Sequence, residues 1–567
     1  MMPSKLLVPA VLLAAPLVMT SHALACGGFF CSSTQPVNQA AERIIFSNNG
    51  DGTVTAVIQI LYQGPSQNFS WLLPISTVPK SDEDIGVASD VAFQRLQAAT
   101  NPLYTLTTRI EGECRDSLSR RSGVAQGATP GAPSSPSVDE GGPGVTVEAS
   151  GVVGSFEWTV ISLDASLSDP AAAATAWLEQ NSFDVSPTAQ RLIGPYLKEG
   201  LFLLALKLTK GSDTGSIRPI VLTYDAKLPM IPIKLTAVAA NDDMGVMTWV
   251  LGEQRAVPRN YLSLELNEAR IDWLTSASNY NDVVTEAADE AGGRGFVTEY
   301  AGRTSALSKV IWTDSDEQQW LSLRDSVNSS LAQIFENAYY TYAGYSGFWD
   351  AVREVVTLSN GATVDDLKSC ATCYGGSLQF SPSAFEAALE ASVIEPMRRV
   401  QRLFDARPYV TRLYSTLSAG EMTEDPLFTF NGDLSNVSNV HTAERVIECS
   451  RDVSQFEAPW RIVLPQGDLV RGTGTTWPVP QSEPPNARVM RLSESGGGAV
   501  VLDNRTEIGS GLSRNNAKYP SPSSSDSGGC SLSSSAPSPF AGAWLALGAL
   551  GASLRRYLRS RRNANSP

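Results

Sequence analysis

The chain has 567 residues, 42% of them hydrophobic and 8% aromatic, a composition that excludes wholesale disorder and a polytopic membrane protein. Its formal net charge is −15, and removing Lys5 and the five arginines after position 554 leaves 37 basic against 58 acidic residues, a balance of −21. This balance excludes nucleic acid as a partner, because phosphate binding needs a basic surface. With only two histidines, most histidine-based metal sites and many catalytic triads are excluded too.

The N-terminus has the pattern of a secretory signal peptide over residues 1–25. Lys5 precedes the apolar run Leu6–Met19, and Ala23-Leu24-Ala25 is a small-x-small cleavage pattern. We therefore predict cleavage between Ala25 and Cys26 and export of the chain. A retained transmembrane helix is the alternative, and the position of Cys26 leaves lipid attachment at that cysteine open.

The next segment, 26–305, predicts a β-rich core. Val54, Ala56, Ile58 and Ile60 alternate after Asn48-Asn49-Gly50-Asp51-Gly52, which predicts a hairpin turn and its second strand. Asp169-Pro170 begins a predicted helix that ends at Gln180, and Ser186-Pro187 begins another. Residues 122–144 contain no Phe, Trp, Tyr, Ile or Leu, which predicts a mobile surface loop. Further strands are predicted at 69–75, 201–208, 217–224, 231–239 and 246–251.

Between 306 and 418 the hydrophobic period becomes that of a helix, which predicts a helical subdomain. One amphipathic helix is predicted over 320–338, with Ser315 and Gln318 as its capping box. Ser383 and Glu386 begin a second helix, kinked or restarted at Pro396. Strands return to the core over 419–507, at 460–464 and 488–492. The predicted fold class is α+β, a β-rich body with a helical insert, stapled by disulfides, plus a single C-terminal hydrophobic helix.

The C-terminal end combines a tether, a hydrophobic helix and a basic tail. Residues 508–539 are the predicted tether, and 16 of the 20 residues from 520 to 539 are Ser, Pro or Gly. In segment 540–562, the uncharged run Phe540–Leu554 is followed at once by positive charge. Positive charge stays on the cytoplasmic side of a membrane, so we expect the tail in the cytoplasm and the body outside. The tail charges are Arg555, Arg556, Arg559, Arg561 and Arg562.

Gly528-Gly529-Cys530, placed before this helix, resembles the myxobacterial C-terminal sorting signal called MYXO-CTERM. The resemblance implies processing and lipid attachment at Cys530, with removal of the helix. An ordinary tail anchor with an incidental cysteine is the alternative.

Six cysteines belong to the exported body: Cys26, Cys31, Cys114, Cys370, Cys373 and Cys449. An even number in an oxidising compartment predicts disulfides, and six cysteines allow fifteen connectivities. The favoured pairs are Cys26–Cys31, Cys370–Cys373 and Cys114–Cys449. A redox pair at Cys370 and Cys373, or a zinc site that adds Cys449 and His441 to them, are the alternatives. His441 itself is interpreted as a surface residue in a polar loop.

Carboxylates are the other candidates for chemistry, because carboxylate pairs serve glycosidases and oxygen ligands bind calcium. No spacing among them is diagnostic, and in an acidic body they are interpreted as solvated faces. The aromatic runs 339–342 and 345–349 are interpreted as core packing rather than as a carbohydrate-binding face. The carboxylates considered are Asp242, Asp243, Glu265, Glu268, Asp272, Glu286, Asp289 and Glu290.

Several blocks of the body resemble the uncharacterised bacterial family called domain of unknown function 2330. The opening block is Cys26-Gly27-Gly28-Phe29-Phe30-Cys31, and the densest match runs from Arg218 to Gly302. The resemblance covers residues 26–305 well and implies an exported bacterial envelope protein, without any activity or catalytic residue. The remaining blocks are Tyr62–Gly64, Trp71–Pro74, Met230–Ala239, Asn267–Trp273 and Phe296–Gly302.

Taken together, these features favour a non-enzymatic structural or binding protein of the outer surface, membrane-anchored through its C-terminus, with no cofactor. An envelope hydrolase with a carboxylate pair from block 242–299 and a thiol redox protein using Cys370 and Cys373 are the alternatives. The expected partners are the membrane or a lipid anchor, the export and sorting machinery, and an envelope protein or polysaccharide.

Overall fold

A computed structural model describes residues 38–521, except 64–69, 82–83, 116–143, 165, 182, 184–186, 209–216, 239, 308, 327, 360 and 375–376. The predicted signal peptide, the Cys26–Cys31 pair, almost all of the 122–144 loop, Cys530, Phe540–Leu554 and the arginine tail lie outside the described residues. Among the helices that are described, none is long and apolar enough to cross a bilayer.

Strands occur along most of the described chain, where β-branched and aromatic residues alternate with polar ones. They are β1 (Asn38–Asn48), β2 (Thr53–Gln63), β3 (Ser70–Ile75), β4 (Ile85–Val87), β5 (Leu103–Glu111), β6 (Val145–Val153), β7 (Phe156–Leu163), β8 (Phe202–Leu208), β9 (Ile220–Asp225), β10 (Ala240–Gly252), β11 (Arg255–Pro258), β12 (Leu262–Leu266), β13 (Gly295–Arg303), β14 (Thr357–Leu358), β15 (Leu378–Gln379), β16 (Tyr409–Leu417), β17 (Phe428–Asn431), β18 (Val440–Glu448), β19 (Pro459–Val463), β20 (Leu469–Thr473), β21 (Asn486–Arg491) and β22 (Ala499–Asp503).

The strands form three larger sheets. The central sheet has ten strands in the order β22-β21-β12-β13-β16-β10-β1-β2-β9-β4. The second sheet (β3-β8-β7-β6) and the third sheet (β20-β19-β18-β5) have four strands each, and β11–β17 and β14–β15 are two-stranded. The predicted hairpin is confirmed, since β1 and β2 are antiparallel and Gly50 and Gly52 have φ of 78° and 94° in the turn, which glycine adopts freely.

The helices are concentrated in the middle of the chain. They are α1 (Asp90–Thr100), α2 (Pro170–Gln180), α3 (Pro187–Lys198), α4 (Ile233–Thr236), α5 (Tyr280–Glu290), α6 (Asp314–Arg324), α7 (Leu331–Tyr342), α8 (Ser346–Val355), α9 (Val364–Ser369), α10 (Pro382–Leu389), α11 (Glu395–Ala406) and α12 (Arg505–Asn516). A π-helical turn, Glu390–Ile394, joins α10 to α11 just before Pro396.

Over its middle strands, the central sheet is apolar and covered on both faces, whereas the edge strand β22 is largely exposed. On one face, Phe46 and Val250 belong to the same core as Trp71 and Leu206 of the second sheet. On the other face, Trp249 and its neighbours pack against α1 and the layer formed by α6–α11. Helices α2 and α3 pack on the second sheet. The predicted α+β class is therefore confirmed, and the described residues belong to one compact unit.

The third sheet joins two segments of the chain that are distant in sequence, 103–111 and 440–473. Its strands β5 and β18 are parallel neighbours although they are far apart in sequence. Cys114 and Cys449, which follow these strands, are bonded, with their Cα atoms 4.8 Å apart. The sheet packs through Trp460 on a core that includes Trp273 and the α12 residue Ile508.

Two helix starts are confirmed. Asp169 accepts a hydrogen bond from Ala172 N at the start of α2, which ends at Gln180, and α3 begins at Pro187. In both cases proline occupies the first helical position, where its missing N–H group is not needed.

The single helix predicted over 320–338 is wrong. Residues 325–330 separate α6 from α7, and each helix has its own capping box, Thr313 with Asp316 and Ser330 with Gln333. The box predicted at Ser315 and Gln318 is thus displaced by two residues. The apolar period continues across the break because both helices contribute to the same core.

The strand predicted at 231–239 is wrong as well, because this run contains the short helix α4 after Pro232. Ile231, Ile233 and Leu235 are all buried. A short buried helix and a buried strand have the same apolar composition, so the pattern could not separate them.

Two segment boundaries also differ from the predicted ones. The helical segment ends at Ala406, before 418, because β16 belongs to the central sheet. The predicted tether begins at 508, but Ile508 and Leu512 are buried in α12 against the third sheet.

Candidate functional site

Two cavities share four residues in their walls, Pro102, Tyr104, Tyr280 and Glu299. The Arg412 cavity, of about 340 Å³, is lined from β1, β10 and β16 and from the segments 97–104 and 276–281. The His441 cavity, of about 500 Å³, is lined mainly from β12, β13, β18 and β21. These volumes match those of sites for small molecules.

Glu299 reaches the shared wall because β13 has a bulge. Its pairing with β16 shifts between Thr298 and Tyr300, so Glu299 is the extra residue. A bulge changes the direction of a side chain and is frequent next to functional sites. Glu299 Oε2 lies 2.6 Å from Arg412 Nε, and the Tyr280 hydroxyl donates to Glu299 Oε1 at 2.9 Å. Both oxygens of this carboxylate therefore have partners.

Arg412 is held in place from several sides. Its Nη1 donates to Thr100 Oγ1 at 3.1 Å, and its guanidinium lies over the Trp249 ring at 5.4 Å from the ring centre. The side chains of Arg412 and Glu299 are only 2% and 1% exposed. Burial raises the pKa of Glu299, while Arg412 and Tyr280 oppose that rise. Tyr280 and Thr100 hydrogen-bond to this buried ion pair, and such hydrogen bonds offset part of the cost of burying two charges.

His441 lies on the other side of the shared wall, in strand β18. In the parallel ladder it is opposite Tyr104 of β5, and the two rings stack at 4.5 Å with an interplanar angle of 11°. His441 Nδ1 is 2.7 Å from Glu268 Oε1. An ionised carboxylate only accepts hydrogen bonds, so Nδ1 carries the proton and Nε2 is the lone-pair nitrogen of the neutral ring.

Three polar atoms around His441 have no hydrogen-bond partner among the described residues. Within the described part of the chain, neither His441 Nε2 nor the Tyr104 hydroxyl makes a hydrogen bond, and Glu268 Oε2 is buried without one. Burial, with Glu268 and Glu299 nearby, raises the pKa of Tyr104 well above its usual range. The Tyr104 hydroxyl therefore keeps its proton and remains a hydrogen-bond donor.

Arg255, at the start of β11, is the cation of the His441 cavity that has no carboxylate beside it. Its Nη1 donates to the Ser435 carbonyl oxygen at 2.8 Å, and no ion pair joins it to any described residue. Arg488, in the same wall, lies 2.6 Å from Glu265. Burial lowers the pKa of Arg255, but a guanidinium stays protonated in proteins.

The carboxylates predicted from sequence do not form one constellation. Glu265 and Glu268 line the His441 cavity, whereas the other six have structural contacts or are exposed. Asp272 caps the turn at Trp273, and Glu286 pairs with Arg270. Glu290 accepts hydrogen bonds from Asn486 and Asn504, and the remaining three are exposed: Asp242, Asp243 and Asp289.

The cysteine bonds exclude the alternative zinc set. Cys370 is bonded to Cys373, with Cα atoms 5.4 Å apart, and Cys449 is bonded to Cys114, so none of these sulfurs is a thiolate ligand. These are the partners that the sequence favours. Across the described ranges, no group of three or more potential metal ligands occurs.

His441 corrects the interpretation of a surface residue in a polar loop. It lies in a strand, and its side chain is 23% exposed. Its neighbours Val440 and Thr442 are exposed because strand side chains alternate, so the polar sequence around it reflects one solvated face. The aromatic interpretation is confirmed for Tyr342, Tyr345 and Phe348, which are buried, while Tyr340 is exposed.

Sequence reasoning missed Tyr104, Arg255, Tyr280 and Arg412. They come from separate segments and no local spacing connects them. Glu268 and Glu299 did carry a signal, because each belongs to one of the blocks that resemble a known family.

Residues 20–322 match a family described as "Uncharacterized protein conserved in bacteria (DUF2330)". The chain belongs to this family. The DUF2330 region contributes Tyr104, Arg255, Glu268, Tyr280 and Glu299, whereas His441, Arg412 and Arg488 come from beyond it. No curated protein and no solved structure matches the chain.

Proposed function

We propose that this DUF2330 protein is exported to the bacterial cell envelope, is anchored there through its C-terminus, and binds a small carboxylate-bearing ligand in the His441 cavity. Export and anchoring are supported by the apolar run before Ala25, the Gly528-Gly529-Cys530 sequence and the arginine tail. Binding is supported by the cavity.

The observation that carries the binding proposal is the guanidinium of Arg255, which has no carboxylate partner among the described residues. A cation held partly away from water without a counter-ion is costly, and an anion in the cavity would remove that cost. A guanidinium also matches the planar fork of a carboxylate. Arg488 and the Tyr104 hydroxyl in the same wall supply further donors.

The size and charge of the cavity restrict the ligand. A volume of about 500 Å³ accommodates a small molecule and not a folded partner. The wall also contains Glu265 and Glu268, which disfavour a polyanion. A linear mono- or dicarboxylate, with one carboxylate on Arg255, fits these limits.

Ligand-dependent thermal unfolding of the full-length protein tests the binding proposal, with succinate, glutarate and adipate as probes. At least one of them should raise the Tm of the wild type, because a ligand that binds only the native state stabilises it. Arg255→Gln should abolish the rise, and Arg259→Gln, an exposed arginine just after the same strand, should keep it. No rise in the wild type, or an equal rise in Arg255→Gln, would contradict the proposal.

Export and anchoring need separate measurements. The mature N-terminus, determined by mass spectrometry, should be Cys26, and protease added to intact cells should digest the body. Cys530→Ala should release the protein or change its C-terminal processing, with Ser531→Ala as the control. An intact N-terminus in the cytoplasm would overturn the export proposal.

The hydrolase that uses a pair of carboxylates receives no support from the site. Glu299 is committed to Arg412 and Tyr280, and Glu268 orients His441. Neither carboxylate is placed to act as the free partner of the other.

A further inference from the structure

We propose that the His441 cavity hydrolyses esters that carry a free carboxylate, with His441 as the general base and Tyr104 as the hydrogen-bond donor to the ester carbonyl. The inference deepens the proposed function and rests on it, because the substrate's carboxylate would bind Arg255. Water is the second reactant.

His441 has the arrangement that a general base requires. One ring nitrogen is fixed by a carboxylate, since Nδ1 lies 2.7 Å from Glu268 Oε1. The other nitrogen, Nε2, meets no donor or acceptor in the described part of the protein, and the residue lines the cavity. A base that is oriented by a carboxylate and open on its far side accepts a proton from water or a hydroxyl group.

The ring of His441 cannot turn freely. Tyr104 stacks on it, and Trp273 contacts Tyr104 edge-on at 4.9 Å between ring centres. Fixed rings reduce the entropy that a catalytic group loses on reaching the reactive geometry. Glu268 and the stacked rings therefore act as positioning groups for Nε2.

Tyr104 supplies the donor that an ester carbonyl needs. Its hydroxyl is unused by the described side chains, and it belongs to the ring stacked on the base. A protonated hydroxyl directed at the carbonyl oxygen stabilises the negative charge that develops there. The stack thus brings the donor and the base to the same cavity wall.

The reaction balances without a cofactor. His441 Nε2 takes a proton from water as the water oxygen bonds to the ester carbonyl carbon, and the carbonyl electron pair moves to the oxygen that Tyr104 contacts. When that electron pair re-forms the carbonyl double bond, the bond between the carbonyl carbon and the alcohol oxygen breaks. The proton on Nε2 passes to the departing alkoxide, which leaves a carboxylic acid, an alcohol and neutral His441.

The two carboxylates in the walls provide an internal contrast. Glu299 has a partner on each oxygen, as a structural group does. Glu268 has one oxygen on His441 and one without a described partner. Of these two carboxylates, only Glu268 therefore has an oxygen with neither a hydrogen bond nor an ion pair to a described residue.

The test measures nitrophenolate release by the full-length protein from mono-p-nitrophenyl adipate, with p-nitrophenyl hexanoate as the uncharged analogue of equal chain length. Nitrophenolate release by the wild type should be faster than in an enzyme-free blank. Its KM should be lower for the adipate ester than for the hexanoate ester, and Arg255→Gln should remove that KM difference. His441→Asn should lower kcat by about 100-fold or more, the usual contribution of a general base. Thr442→Ala, exposed on the same strand, should leave the rate unchanged.

Two further variants separate catalysis from structure. Tyr104→Phe should lower kcat by about 100-fold, the effect of losing one donor to a developing oxyanion. Glu268→Gln should lower kcat with KM unchanged, because it acts through His441. If His441→Asn fails to fold, Tyr104→Phe and Glu268→Gln test the inference in its place. A kcat equal to that of the wild type in both variants would overturn it.

Adipate binding, measured in parallel, separates the claim that the cavity binds a carboxylate from the claim that it hydrolyses an ester. Wild-type turnover no faster than that of His441→Asn, with adipate bound by both, would overturn catalysis and leave the binding function standing. Absence of both binding and turnover would overturn both. Equal loss of kcat in Thr442→Ala and His441→Asn would also overturn the role of His441.

Discussion

Glu299 and Glu268 are two carboxylates on neighbouring cavity walls, and they differ in how completely they are bonded. Glu299 is 1% exposed and is held by Arg412 and Tyr280. Glu268 is 17% exposed and is held only by His441 among the described residues. Among the described residues, the Arg412 cavity therefore has a carboxylate with a partner at each oxygen, and the His441 cavity has one with a partner at a single oxygen.

This difference separates structural from functional polar groups. A buried network in which each group is bonded stabilises one conformation and has nothing left for a ligand. A network with unused donors and acceptors beside a cavity is available for a ligand, and its groups are expected to matter less for stability.

The largest expected effect is on the Arg412 side. Arg412→Met should lower the free energy of unfolding by about 3–5 kcal/mol, because it leaves the Glu299 carboxylate buried without its cation. Urea denaturation measures it. Arg488→Met is the matched control, and it should cost less than about 1 kcal/mol because its partner Glu265 is 47% exposed. Equal costs would remove the distinction between the two walls.

A pair of tyrosines sharpens the comparison. Tyr280→Phe should lower the free energy of unfolding by about 1–3 kcal/mol, because the buried Glu299 Oε1 loses its hydrogen-bond donor. Tyr104→Phe should cost less, since its hydroxyl has no partner in the part of the chain that the structure covers. Both values come from urea denaturation, and a larger cost for Tyr104→Phe would contradict the assignment of Tyr104 to ligand contact.

The His441 pair should contribute little to stability. Glu268→Gln keeps an acceptor for Nδ1, and we expect a change of about 1 kcal/mol or less in the free energy of unfolding. Differential scanning calorimetry should give nearly the wild-type Tm. A loss comparable to that of Arg412→Met would show that the pair is structural.

The smallest effect concerns alkaline pH. Burial, followed by the charge of Glu299, raises the pKa of Tyr280 well above its usual value of about 10. Above pH 10 the unfolded chain loses this proton while the folded chain keeps it, so stability falls as pH rises. Tyr280→Phe should make this fall shallower between pH 10 and 11 in urea denaturation. An unchanged slope would contradict the burial of the hydroxyl.

The sequence predicts elements well where the signal is local. Asp169-Pro170 marks the start of α2 because the cap and the proline act within one helical turn. The turn at Gly50 and Gly52 specifies the β1–β2 hairpin for the same reason. The strand predicted at 231–239 is wrong because short buried helices and buried strands have the same apolar composition.

The site could not be predicted in the same way. Tyr104 meets His441 only because β5 and β18, distant in sequence, become parallel neighbours in the third sheet. Glu299 reaches Arg412 only because β13 has a bulge. Both facts depend on long-range pairing, which has no local pattern. Composition did indicate that any histidine chemistry must use His441, since His22 lies in the predicted signal peptide.

The most direct measurement is an NMR titration of the His441 imidazole with adipate in the selectively ¹³C-histidine-labelled protein, purified after export and removal of residues 1–25. His441 is the single histidine expected after removal of residues 1–25, so its ring signal needs little assignment. A saturable shift in the wild type and in Arg259→Gln, absent from Arg255→Gln, is the predicted result. A signal that does not move in the folded wild type, or that moves equally in Arg255→Gln, would contradict a ligand site at this cavity.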